Sequence, residues 1–147
     1  MLHGAYAPLA QAGMRFYASH QSVEATASRA SKGECWVAEL EGQLVGTITL
    51  IPPDQPGEIP WYEQPGVAVI GQFGVHPDCK GHGLGRGLIE LAEQRARELG
   101  ALEVALDTAE TASELIALYT RRGYRHVGHA DWRPTTNYRS VVLSKPL

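Results

Sequence analysis

Four glycines at alternate positions, Gly81, Gly83, Gly85 and Gly87, separate a β-rich run from a helical pattern, and no other feature of the sequence limits the fold as much. Upstream, Val67 to Val75 carries no charge. Val67, Val69, Gly71, Phe73 and Val75 share one face of an extended strand, and Ala68, Ile70, Gln72 and Gly74 share the other. Apolar residues on both faces predict a central strand covered on both sides, stopped by His76-Pro77-Asp78. Downstream, Leu84, Leu88, Leu91, Arg95 and Leu99 trace one stripe of a helix running from about Leu84 to Leu99, which Gly100 ends. A strand that passes through glycines into a helix brings its backbone close to a ligand. It also aims the free N–H groups of the first helical turn outward at the positive end of the dipole. That is a cradle for phosphate, with Lys80 and Arg86 adding positive charge at its rim.

The remaining patterns build a sheet around this unit. Leu102 to Leu106 is a buried strand ending at Asp107, so Val67 to Leu106 forms a strand, helix, strand crossover and hence a right-handed parallel pair. Pro8 to Ala30 predicts two short helices, one capped by Ser22 with Glu24 in its first turn. Cys35 to Leu40 and Leu44 to Ile51 form a hairpin around Glu41-Gly42-Gln43. Ile51 to Gly66 holds five prolines and the pair Trp61-Tyr62, which makes it a long loop. Ala112 to Arg122 reads as a helix stopped by Gly123, with Arg121-Arg122 favourably placed for its dipole. Tyr124 to Trp132 and Tyr138 to Leu143 read as two closing strands. The order predicts an α+β (mixed α/β) architecture, with residues 1–147 as a single domain.

Composition narrows the function. A chain of 147 residues buries enough surface to fold without disulfides or a structural metal. A net charge of −3 with scattered Arg and Lys predicts no nucleic-acid or membrane partner. Two cysteines are too few for a disulfide framework, and neither a signal peptide nor a spanning run is visible, so a soluble cytoplasmic protein is expected. His76, Cys79 and His82 have ligand-like spacing, but no second cluster completes a tetrahedron, so no metal is expected. His126 and His129, three apart on a strand, should face opposite sides.

Known phosphate motifs discriminate further. The dinucleotide fingerprint G-x-G-x-x-G fails, because its last position falls on Arg86 or Leu88, and no Gly-Lys-Ser/Thr follows to make a P-loop. Lys80-Gly81-His82-Gly83-Leu84-Gly85 does resemble the pyrophosphate loop Q/R-x-x-G-x-G/A of the GNAT superfamily of N-acetyltransferases, with lysine keeping the charge of the first place. Leu118-Tyr119 followed by Gly123-Tyr124 resembles that family's second signature, L-Y-x-x-x-G-F/Y. The resemblance covers about Cys35 to Leu143 and implies a mixed sheet of about six strands flanked by helices.

What the resemblance implies about chemistry follows from the matching positions. Acetyl-CoA would be the co-substrate, with pantetheine against the backbone of Phe73, Gly74 and Val75. Its pyrophosphate would lie on Lys80, Gly81, His82, Gly83, Leu84, Gly85 and Arg86. Tyr119 would protonate the departing thiolate, the natural task for a neutral phenol beside a thiol leaving group. The acceptor would be a primary amine of a small molecule. A protein or peptide amine, and a non-catalytic acyl-CoA-binding regulatory module, stay open as alternatives. The N-terminal helices, the Trp132–Tyr138 loop and Trp61-Tyr62 are expected to shape the acceptor pocket.

The chain also departs from the family pattern. The family's usual first strand is absent, leaving an edge near Cys35–Leu40 to be covered by a homodimer or the N-terminal segment, or else Met1–Tyr6 supplies a vestige. Ala112 stands where many members have Asn, with Ser113 or Thr111 as the substitute. Val67–Val75 carries no glutamate base, leaving Asp107, Glu63, a water on Gln72 or no dedicated base.

Overall fold

The computed structural model describes all residues from Met1 to Leu147. Its helices are α1 (Leu2–Gln11), α2 (Val23–Ala30), α3 (Leu84–Glu98) and α4 (Ser113–Arg121). Its strands are β1 (Glu34–Leu40), β2 (Gln43–Ile51), β3 (Val67–Val75), β4 (Glu103–Ala109), β5 (Arg125–Asp131) and β6 (Arg139–Pro146). They form one six-stranded sheet in the order β1-β2-β3-β4-β6-β5. Only β3 and β4 are parallel, joined by α3. No helix is long and apolar enough to cross a membrane.

Local chemistry explains most boundaries. The hairpin turn is Glu41-Gly42, both at positive φ (51° and 80°), the conformation that matches the twist of flanking strands. Gln43 therefore already belongs to β2. The Ser22 hydroxyl accepts from the Ala25 N–H at 3.1 Å and caps α2 as expected. Gly100, at φ 81°, terminates α3.

Three expectations change. Helix α1 starts at Leu2, ahead of Pro8, so Met1–Tyr6 contributes helix and no vestigial strand, and β1 is an outer strand of the sheet. The buried stripe of α3 is Leu88, Ile89, Ala92 and Ala96, whereas Leu91 is 44% exposed. Arg95 joins Glu34 in a 2.8 Å ion pair instead of the apolar stripe. The third change comes from bulges. Thr47 pairs with Gly74 and Thr49 with Gly71, so Gln72 and Phe73 together oppose Ile48, with Gln72 in the left-handed region at φ 47°. This extra residue reverses the alternation. Val67 and Val69 pack with Tyr62, Ala105 and Val142, while Val75 crosses to the face of Ala68 and Ile70. A second bulge at Val127 brings the His126 and His129 rings onto one side, 4.7 Å apart, where simple alternation predicts opposite sides.

The main core lies between the sheet and helices α3 and α4, around Ile48, Leu50, Ile89, Ala92, Val104 and Leu143. On the other face, α1 lies against β3, and Tyr62 and Trp61 of the 51–66 loop cover Val67, Val69 and Val142. Pairing between β3 and β4 stops after three partners, Val67–Val69 with Glu103–Ala105, although both strands continue. Beyond that point the sheet parts.

Candidate active site

The cleft opened by this parting has a volume of about 1190 Å³ and runs from the glycine loop past β3 and β4 to α1 and α2. At the loop end, Gly81 and Gly83 adopt φ 82° and 80°, and a Cβ at either would meet nothing within 4 Å. Gly83 caps α3 without a side chain, and the first helical bond is from the Gly87 N–H to its carbonyl at 2.9 Å. The amides of Leu84, Gly85 and Arg86 are thus the unpaired donors of a helix N-terminus, which suits an anion. A Cβ at Gly85 would sit in ordinary contact with Val75 Cγ2, at 3.5 Å. Exposed Lys80 lines this end, and Arg86 shares its charge with Glu90 at 2.8 Å.

Of the residues expected to bind the donor, Phe73, Gly74, Val75, Lys80, Gly81, Gly83, Gly85 and Arg86 line the cleft. The side chains of His82 and Leu84 do not, and Ser113 is exposed on the first turn of α4, away from it. Arg122 does more than touch a helix dipole. It lines the cleft and lies 3.7 Å from Glu90 and 4.0 Å from Glu93.

Tyr119 sits on the last turn of α4, 8% exposed, and lines the same cleft as the glycine loop and the N-terminal helices. Its ring stacks edge-on with Tyr124 at 5.6 Å. Beneath it the Tyr124 hydroxyl donates to Glu93 at 3.0 Å, and Lys145 reaches the same buried carboxylate at 2.8 Å. Burial holds the Tyr119 phenol well above its usual range, Tyr6 adding to the shift and Arg122 opposing it. The hydroxyl is therefore protonated throughout the neutral range and available as a donor.

The far end of the cleft is built by the three segments expected there: Tyr6, Phe16, Tyr17 and Arg29 from the N-terminus, Tyr62 from the long loop, and Trp132 and Tyr138 around the β5–β6 connection. Tyr6 donates to the Phe73 carbonyl at 2.5 Å, tying α1 to the bulge, and burial pushes its phenol up to about 12. Asp107 accepts from the Tyr62 hydroxyl at 2.7 Å and from Trp132 Nε1 at 2.9 Å. Of the base candidates, Asp107 lines the cleft and Glu63 does not. The Gln72 amide is occupied by Gln21 at 2.7 Å. Sequence reasoning pointed to these segments but singled out neither Tyr6 nor Arg29 within them, because no local motif marks either residue.

Comparison with known proteins shows the family to which the chain belongs. The acetyltransferase (GNAT) family model matches residues 7–124. S-(2-succino)cysteine N-acetyltransferase of Bacillus subtilis is 33% identical over 132 residues, covering 86% of this chain and 76% of the relative. Human N-acetyltransferase 8B is 31% identical over 99 residues, and there the chain spans only 41% of the relative's length. Among solved structures, a Pyrococcus horikoshii protein superposes with a TM-score of 0.74 at 20% identity, covering 99% of this chain and 88% of that one. A GNAT family acetyltransferase of Elizabethkingia anophelis with acetyl-CoA bound gives 0.67 at 17% identity, covering 86% and 84%.

Proposed function

As a member of the GNAT family of acetyltransferases, this chain is an acyltransferase, and we propose that it moves the acetyl group of acetyl-CoA to the primary amine of a small molecule by direct attack. The observation that carries the reading is a single cleft, at the parting of β3 and β4, that holds both the unpaired amides of α3 and the protonated Tyr119. The donor's pyrophosphate takes the amides of Leu84, Gly85 and Arg86 with Lys80 alongside, and its pantetheine follows Phe73, Gly74 and Val75 towards Tyr119. The amine nitrogen attacks the thioester carbonyl carbon. Collapse of the tetrahedral adduct breaks the C–S bond, and the sulfur leaves with the Tyr119 proton. The nitrogen gives up a proton to solvent, and the phenol regains one, so the products are an N-acetyl amide and free CoA thiol.

The B. subtilis relative is named for acetylating a modified amino acid, which supports a small-molecule acceptor here. The exposed Val37 and Leu40 on edge strand β1, with Leu44 beside them, support a homodimer across that edge. The test of the function is thiol release from acetyl-CoA across a panel of amines, alongside calorimetric binding of acetyl-CoA. Amine-dependent release supports the reading. Tight acetyl-CoA binding with no release for any amine refutes transfer and leaves a binding module.

A further inference from the structure

The charges lining the cleft fall into two groups. Lys80, Arg86 and Arg122 stand with α3 and α4 at the donor end. Arg29, Lys32, Glu58 and Asp107 stand at the other. Within the second group Lys32 and Glu58 neutralise each other at 2.8 Å. That leaves one cation and one anion without a charged partner in the chain. Arg29, half-buried at the end of α2, has a single protein hydrogen bond, from Nη1 to Gln21 Oε1, and lies 5.3 Å over the Tyr17 ring. Asp107 is held by two neutral donors, Tyr62 and Trp132, and by no cation. Both charges act on the Tyr6 and Tyr138 phenols, Arg29 lowering and Asp107 raising their pKa, so the two lie within electrostatic reach of the same pair of side chains.

Arg29 is tied to the sheet through a chain of side-chain hydrogen bonds. Gln21 is 2% exposed, and its amide nitrogen donates both to Gln72, at the bulge, and to Thr26, at 2.7 Å each. Its remaining oxygen is turned on Arg29. The strained backbone of Gln72 thus fixes, through Gln21, where the guanidinium stands. A half-buried guanidinium with most of its five donors unspent is a costly group to leave in an apolar cleft, and a carboxylate is the partner that matches its fork.

We propose that the acceptor is a zwitterionic, amino-acid-like amine whose nitrogen is received by Asp107 and whose carboxylate is received by Arg29. The inference rests on the amine-acetylation reading above and names the substrate class for it. Arg29 is then a specificity residue fixed by Gln21 and Gln72, and Asp107 holds the nucleophile on the Tyr6–Tyr119 side of the cleft through N–H···O bonds available to the ammonium and the free amine alike.

The test compares S-carboxymethylcysteine, its dimethyl ester and putrescine as acceptors at saturating acetyl-CoA, in the wild type and in Arg29→Gln and Arg29→Lys. The wild type is expected to favour the free acid over both other amines by on the order of ten- to hundred-fold in kcat/KM, the scale of a charge-assisted pair. Arg29→Gln should erase that preference, chiefly through KM for the acid, and Arg29→Lys should restore part of it. A folding defect would lower all three amines together and lower acetyl-CoA affinity, which the same calorimetry reads. Transfer to amines with equal use of acid and ester, or an Arg29→Gln loss that is the same for both, overturns this inference alone. Absence of transfer to any amine while acetyl-CoA still binds overturns the reading beneath it as well.

Discussion

Tyr119 and the glycines of the loop ask for opposite things from substitution. Phenylalanine at 119 keeps the ring against Tyr124 and removes only the hydroxyl, so Tyr119→Phe should fold normally and bind acetyl-CoA as before. Its kcat should fall on the order of 10²–10⁴-fold, because a bond to sulfur strengthens only as charge develops. The deficit should shrink with an acyl donor whose thiol is more acidic, and steady-state kinetics with both donors would check it. Unchanged kcat would make the tyrosine a core aromatic. At Gly83, open space and φ 80° mean that glutamate adds strain and a like charge where the anion sits. Gly83→Glu and Gly85→Glu should both abolish calorimetric binding of acetyl-CoA while circular dichroism stays native. These positions were legible in the sequence because their chemistry is local, written within a dozen residues. Arg29 and Tyr6 are brought to the cleft through contacts such as Gln21 to Gln72 and Tyr6 to Phe73, dozens of residues apart, which no window on the chain encloses.

Between elements, the close approach of α1 to β3 depends on Gly74. A Cβ there would stand 3.1 Å from Ala5 Cβ and 3.2 Å from Tyr6 Cε2. Gly74→Val should therefore push α1 outward, weaken the Tyr6 bond to the Phe73 carbonyl and cost about 1–3 kcal/mol in urea unfolding, with the larger loss in acceptor KM. Element types were readable from periodicity, and the hairpin, the long loop and the crossover all stand where turn residues and alternation put them. The bulges were not readable. A residue inserted at Gln72 or Val127 leaves composition and propensity untouched while exchanging the faces beyond it, so Val75 and the His126–His129 pair moved. Likewise Leu91 reads as a stripe residue on a helical wheel, but the faces against which α3 packs are set by β2 and β3, and these select Ala92 and Ala96 instead.

Across the whole molecule, burial sets an alkaline limit. Of six tyrosines, Tyr6, Tyr62, Tyr119, Tyr124 and Tyr138 have phenols raised above their ordinary value, in each case chiefly by desolvation. An unfolded chain ionises all of them near pH ~10, while the native state holds these protons longer. Native protein then binds more protons than unfolded, so this contribution is intact below about pH 10 and is lost as pH rises towards the native values. The melting temperature should fall by more than about 5 °C between pH 9 and pH 11. Phenolate absorbance at pH 11 should jump on adding denaturant. Full phenolate signal from the native protein would contradict it.

The parting of β3 from β4 leaves one cleft with two ends, the glycine loop and the start of α3 at one and α1, α2 and the 51–66 loop at the other. A donor at one end and an acceptor at the other do not compete for the same place, so neither must leave before the other arrives. The order of events this permits is a ternary complex, in which initial-velocity lines from varying both substrates intersect. Parallel lines, the mark of an acetylated enzyme formed after the first product has gone, would mean that the two ends of the cleft are never occupied together.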